Sequence, residues 1–317
     1  MKKKINTLTL FLSLAMLISA VACSGGSTTT EESGRTIVPG LHIDYDRDGN
    51  DISLPETVSK IISIGPSNTE VLVALGFADM IIATDAYSAN VPGLKPGISD
   101  FSMMDNDGEL IIEMQPDLIF VTGMSRAQGE DPYKVLADVG LCLIYMPSST
   151  SIAGIMEDIR YMAEVLAVEE TGEEILEVMQ AKIDEILAIT NTSSEVKKVY
   201  YEIAAAPNMY SFGGGTFLHE MIELLGAVNI FADTIGWASV SDEAILEADP
   251  DIILTTVNYI ENPVEEIKSR DGWNAITAIK NDDVYYISTD ASNRPSHNVV
   301  IAMQQMAEAI YPELFEG

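Results

Sequence analysis

Hydrophobic positions along this chain follow two rhythms. Short continuous apolar runs, KIISIG, MIIATD, DLIFVTG and LCLIYM, show no in-out alternation, which predicts strands buried on both faces of a mostly parallel sheet. Between them PSNTEVLVALG, GELIIEMQ and DPYKVLADVG read as helices, the first with Ser67 or Asn68 as its N-cap. From Ser151 to about Thr192 the pattern becomes a sustained helical one. Ile152, Ile155, Met156, Ile159, Met162 and Leu166 mark one stripe, and Ile175, Val178, Met179, Ile186 and Leu187 mark another. Strand and helix then alternate again through KVYYEIA, a glycine loop, FLHEMIELLG, AILEADPDIILTT and DVYYIS, and the chain ends on the helix VVIAMQQMAEAIY. The expectation is two α/β units joined by a long helical region.

The two units echo each other. ELIIEMQPDLIFVT, from Glu109 to Thr122, returns as EAILEADPDIILTT, from Glu243 to Thr256, at a constant offset of 134. TEVLVALG (Thr69–Gly76) lines up with HEMIELLG (His219–Gly226) at a different offset, 150, so loops have drifted between the copies. Pro-Asp in the first pair marks where a helix must stop before its strand.

The N-terminus reads as an address. Lys2, Lys3 and Lys4 precede an apolar run and the small residues Ser19-Ala20-Val21-Ala22, the layout of a secretory signal over 1–22. Cys23 follows directly, an arrangement that resembles a bacterial lipobox, with Ala20 where Leu is usual. The expectation is a lipidated Cys23, a flexible Ser/Thr/Gly tether over 23–34, and a chain anchored on the outer face of the cell membrane. Cys142 would then be the only other cysteine, in a strand-like run where a thiol acts as a small hydrophobe. The segment LHIDYDRDGNDISLP reads as a hairpin turning at Asp48-Gly49-Asn50. Its acids do not make an EF-hand, because Pro55 stands where the bidentate Glu would be needed.

The 317 residues carry 49 acids against 17 bases, a formal charge of −32, which becomes −35 once three lysines leave with the signal. That balance excludes a nucleic-acid partner, whose phosphates require Lys and Arg. Catalytic signatures are thin. The loop SFGGGTFLHE lacks the Lys-Ser/Thr ending of a P-loop, and Ser296-His297 has no triad context. The glycines read better as a tight strand-to-helix turn that lets a ligand approach backbone amides. Three histidines, His42, His219 and His297, are too few for a directly bound zinc or manganese ion, so no metal site and no cofactor are expected. Arg126 and Arg294 are rare cations in an acidic chain. Arg126 follows a strand end, where it could grip a carboxylate, phosphate or catecholate.

IISIGPSNTEVLVALGFADMIIATD, QPDLIFVTG, GGGTFLHEMIELLGAVNIFAD, DPDIILTT and SNRPSHNVVIAMQQMAEAIYPE, in that order from about Val58 to the C-terminus, resemble the class III substrate-binding lipoproteins of ABC importers, the cobalamin and iron-chelate (siderophore, haem) binding family. That resemblance implies two Rossmann-like lobes with mostly parallel sheets, 35–168 and 193–317, joined by a single long helix over 169–192. Ligand would lie in the cleft between them. It implies a monomer that performs no chemistry, captures an iron–siderophore, haem or cobalamin, and delivers it to a permease dimer with its ATPase. Glu109 and Glu243 match the positions at which the family's lobes contact permease arginines. By similarity, Tyr87, Tyr210 and Trp237, with Phe101, would line the cleft. Met103 and Met124, like Met104 and Met209, sit in the same loops, where methionine makes an adaptable lining, and Arg126 and Arg294 complete the candidate set. His219, His297, Tyr87 or Tyr210 could also serve as a haem axial ligand. The rival expectation is an extracytoplasmic two-lobed α/β enzyme acting on a small molecule.

Overall fold

The computed structural model describes residues 35–40, 43–104, 108–126, 129 and 131–315. The expected signal, tether and Cys23 lie outside them, as does His42. The first unit runs β1 (Ile61–Ile64), α1 (Pro66–Ala74), β2 (Ile81–Asp85), β3 (Ser99–Phe101), α2 (Gly108–Met114), β4 (Leu118–Thr122), α3 (Lys134–Asp138) and β5 (Leu143–Met146). Its five strands form one parallel sheet in the order β3-β2-β1-β4-β5. The uninterrupted apolar runs explain this placement, since β1, β4 and β5 are buried along their whole length. Helix α1 starts two or three residues earlier than those caps imply. Pro66 occupies its first turn after Gly65, and no side chain caps it, so neither Ser67 nor Asn68 is the N-cap.

Two helices follow, α4 (Ile152–Val165) and α5 (Glu169–Thr190). Ala167, at φ 54°, breaks the helical run between them. Gly172 lets α5 close on α4, because a Cβ there would stand 2.5 Å from that of Ala163. Ser151 caps α4 by accepting from the Gly154 amide at 3.0 Å. Leu176, Met179, Ile183 and Ile186 form the buried stripe of α5, each contributing about 1.5–3 kcal/mol by leaving water.

The second unit comprises β6 (Lys198–Glu202), β7 (Tyr210–Phe212), α6 (Phe217–Leu224), β8 (Val228–Asn229), β9 (Trp237–Ser239), α7 (Asp242–Ala248), β10 (Ile252–Thr255), α8 (Pro263–Lys268), α9 (Thr277–Asn281), β11 (Val284–Tyr286), α10 (Thr289–Asn293) and α11 (Val299–Ile310). Its parallel sheet is ordered β11-β10-β6-β8, with β7 and β9 paired antiparallel beside it. Reading β6 for β1, β8 for β2, β10 for β4 and β11 for β5, the two sheets share one topology. One continuous apolar core links them, running through α4, α5 and α11.

The repeated phrase has a repeated job. Asp117 accepts from the backbone amides of Ser59 and Lys60 at 2.7 and 2.9 Å, and the Lys60 ammonium reaches the Met114 carbonyl at the end of α2. Asp251 accepts from the Lys198 amide at 2.8 Å, and the Lys198 ammonium reaches the Ala248 carbonyl at the end of α7. In each unit the Pro-Asp carboxylate fixes the entry of the neighbouring strand, while the lysine answers the negative end of the helix.

The DRDGN hairpin is reduced to a turn closed by one antiparallel bridge, Tyr45 to Asp51. Asp46 is spent inside that turn, accepting from the amides of Asp48 and Asn50 and from the Tyr145 amide of β5. Cys142 lies just before β5, half-buried, and burial pushes its thiol up to about 11. The glycine loop serves the backbone. A Cβ on Gly213 would stand 2.0 Å from the Thr234 carbonyl oxygen, and none of the three glycines faces the cleft described below.

A buried ionic knot closes the second unit. Arg270 holds both oxygens of the fully buried Glu202 at 2.6 and 2.9 Å and Glu266 at 2.5 Å, and it lies over the Trp273 ring. Burial raises the Glu202 pKa while Arg270 pulls against that rise. Arg270→Met is expected to leave Glu202 uncompensated and to cost about 3–5 kcal/mol in urea unfolding. A loss below about 1 kcal/mol would show that the knot does not matter for stability.

Candidate functional site

Parallel α/β sheets present ligands with the loops at the carboxyl ends of their strands. Here those ends face each other across a cleft of about 500 Å³. One wall comes from the first unit: Pro66 and Ser67 after β1, Met103 after β3, Thr122 and Met124 at the end of β4, and Ser148 to Thr150 after β5. The other comes from the second unit: Ile203 after β6, Tyr210 in β7, Thr216 and Phe217 opening α6, Trp237 in β9, Asn293 ending α10, and Arg294 and Pro295 after it. The surface is apolar with hydroxyl groups set into it, and Arg294 is its only charged residue among those described.

Trp237 is held in place by pairing. Its strand lies opposite Phe212, and the two rings meet edge to face with centroids 5.8 Å apart. Tyr210 opens the same ribbon. Both rings remain over a third exposed, as a wall that meets a ligand would be.

Not all the expected residues meet here. Met103, Met124, Tyr210, Trp237 and Arg294 line the cleft. Phe101 does not: it is buried in the core with Ile62, Ile64 and Val121, because β3 turns it into its own sheet. Tyr87 stands 68% exposed outside the lining. Arg126 is paired with Asp48 and stacked on Tyr145, 4.4 Å from the ring centre, so its charge is engaged away from the cleft. Met209 is core, its sulfur beside Arg270, and Met104 lies outside the lining. His219, a candidate haem ligand, is buried beside Asn229 and Glu223 and lies outside the lining. No group of three metal-ligating side chains occurs among the described residues. Glu109 and Glu243 are both exposed, each in the first turn of its helix, α2 and α7. The Glu243 carboxylate is held below its usual range by its own backbone amide and by the Ser241 hydroxyl.

Two residues that did not stand out in the sequence join the walls. Glu70 on α1 is buried, and it accepts from Arg294 at 2.8 Å, Ser296 at 2.5 Å and Asn298 at 2.9 Å, all from the last segment of the chain. Glu220 on α6 reaches the other way and accepts from the Ile152 amide at the start of α4, at 2.7 Å. These glutamates occupy matching places in TEVLVALG and HEMIELLG, so each unit sends one carboxylate into the other. The usable signal was an acid at the same place in both helix phrases, second in TEVLVALG and second in HEMIELLG.

A family model described as periplasmic binding protein matches residues 61–291. The chain is 30% identical over 312 residues to an uncharacterized ABC transporter substrate-binding lipoprotein, YvrC, of Bacillus subtilis, covering 95% of this chain and 97% of that one. It is 26% identical over 259 residues to the vitamin B12-binding protein of Vibrio cholerae, 80% of this chain and 90% of the relative. Among solved structures, a possible iron-binding (periplasmic solute-binding) protein of Staphylococcus epidermidis superposes with a TM-score of 0.72 at 28% identity, over 80% of this chain and 99% of its own.

The junction carries a pH consequence. His297 sits beside Glu70, and its buried Nδ1 has no partner. Burial lowers its pKa from 6.5, with Glu70 opposing. A depressed pKa means that the folded state resists a proton which the unfolded chain accepts. The stability present above pH 6.5 should therefore decline as pH falls through 6.5 towards the lowered value. Melting temperature followed from pH 8 to 5 should show this decline, and His297→Asn should flatten it; an unchanged slope in the variant would remove His297 as the cause.

Proposed function

The chain belongs to the periplasmic binding protein family, and from that premise we propose that it is the lipid-anchored receptor of an ABC importer, capturing a metal chelate in the cleft and delivering it to the permease. The observation that carries this is the cleft itself. It lies where the carboxyl ends of two like sheets converge, with aromatic Tyr210 and Trp237 facing Met103 and Met124 across a largely apolar space. Such a surface suits a bulky, partly flat ligand more than a small polar one. The vitamin B12-binding and possible iron-binding relatives support cobalamin or an iron chelate as the ligand class. The relatives are binding proteins, which supports binding over the enzymatic alternative.

Three further parts belong to the same reading. Cys23 carries the anchor, in keeping with the lipoprotein relative. Helix α5 acts as the strut between lobes 35–168 and 193–317, and its buried stripe together with the Glu70 and Glu220 contacts keeps closure small. Glu109 and Glu243, one per lobe and both exposed, dock against basic pockets on the two permease subunits.

Binding is read through Trp237, since Trp273 is buried away from the cleft. Titration with cyanocobalamin, haemin and ferric siderophores should give saturable quenching with one of them, lost in Trp237→Phe. If no chelate alters either fluorescence or melting temperature, the chelate reading falls. For docking, Glu109→Lys with Glu243→Lys should cut uptake at least about tenfold while the Kd for ligand stays within about twofold; undiminished uptake would remove the docking role.

A further inference from the structure

The groups beside the cleft wall best placed to attract an anion, the Arg294 guanidinium and the helix N-termini, are already engaged by oxygens of the protein itself, most of them carboxylates. Arg294 is the only charged lining residue among those described, and its guanidinium lies between Glu70 at 2.8 Å and Asp290 at 2.7 Å. Its side chain is only 12% exposed, and one of its terminal nitrogens also points at the Tyr87 carbonyl. Two carboxylates against one guanidinium leave that corner net negative.

Helix N-termini are the next candidates, since each concentrates about half a positive charge. Three open on the cleft, those of α1, α4 and α6, through Pro66 and Ser67, Ser149 and Thr150, and Thr216 and Phe217. The first amide of α4, Ile152, is taken by Glu220 at 2.7 Å. At α1 the first turn carries a proline, and the Gly65 amide before it donates to the buried Asp85 at 2.7 Å. At α6 the His219 amide is capped by the Thr216 hydroxyl, and Glu220 stands in the first turn. The remaining polar groups on the walls, among them Ser67, Thr122, Ser148 and Asn293, are neutral. Around them the chain carries a formal charge of −32.

We infer that the cleft selects by charge: it takes a neutral or cationic chelate with amide-like or hydroxamate-like groups at its rim, and discriminates against chelates bearing free carboxylates or catecholates. A charged rim group would lose its water without gaining an unpaired cation, and it would meet the surplus carboxylate beside Arg294. A neutral amide or carbonyl can exchange water for wall hydroxyls at little cost. Arg294 thereby acts as a positioning residue that ties the last segment to α1, and not as a grip for an anion.

This inference rests on the chelate reading, and matched pairs separate the two. Calorimetry would compare cyanocobalamin with the monocarboxylate made by hydrolysing one peripheral amide. It would likewise compare haemin dimethyl ester with haemin, and an uncharged ferric trihydroxamate with a ferric tris-catecholate. In the pair that binds, the neutral member should bind at least about tenfold tighter, and the gap should widen at low salt, where repulsion is less screened. Asp290→Asn, which relieves the surplus charge at an exposed position, should narrow the gap. Should that variant fail to fold, the wild-type salt dependence still decides. An anionic member that binds as tightly as its neutral partner overturns the inference and leaves the chelate reading standing. Absence of binding by all six removes the chelate reading and the inference with it.

Discussion

The cleft depends on the buried carboxylate of Glu70. A carboxylate inside protein is tolerated only when its hydrogen-bonding capacity is met, and every donor given to Glu70 from across the junction comes from one short segment, Arg294 to Asn298. That requirement fixes the loop after α10 against α1, and with it the corner of the cleft formed by Asn293, Arg294 and Pro295. Glu220 imposes the reciprocal constraint by holding the start of α4 against α6. The two units therefore meet through these two carboxylates as well as through the shared apolar core around α5. Removing Glu70 would leave Arg294 to Asp290 and the Tyr87 carbonyl and break the tie to α1, and removing Glu220 would free the Ile152 amide.

The two units build their joints from the same devices. Asp117 with Lys60, and Asp251 with Lys198, make the same joint between helix end and strand start in the two sheets. The sheets share an order because the same local rules were applied twice. The glutamate pair that crosses between units is the second product of that symmetry, on helices whose offset differs from that of the strands. Divergence is concentrated in the loops: the antiparallel ribbon of β7 and β9 belongs to the second unit alone, and it supplies Tyr210 and Trp237 to that unit's wall of the cleft.

Legibility in the sequence followed the physics of each signal. Strands and helices were readable because burial on both faces leaves uninterrupted apolar runs, and β1, β4, β5, β6 and β10 fall where those runs do. The break at Ala167 was not readable, since a single left-handed alanine leaves no mark on the 3.6-residue period. Among candidate site residues, those in loops after strand ends reached the cleft when nothing nearer claimed them. Phe101 was claimed by the core and Arg126 by Asp48 and Tyr145, contacts between residues distant in sequence that no local pattern announces. Arg294 reached the cleft, but with its charge spent. Glu70 escaped notice because a lone glutamate on a helix is ordinarily a solvent-facing residue, and only its depth shows otherwise.

The central claim is that a metal chelate sits between the aromatic ribbon of the second unit and the methionine loops of the first. Anomalous diffraction at the cobalt or iron edge, from crystals grown with whichever chelate binds, locates the metal directly. The account requires a single strong peak inside the cleft, flanked by Tyr210 and Trp237 on one side and Met103 and Met124 on the other. A saturating chelate whose metal peak lies on an outer face of either unit, with the cleft empty, would contradict it.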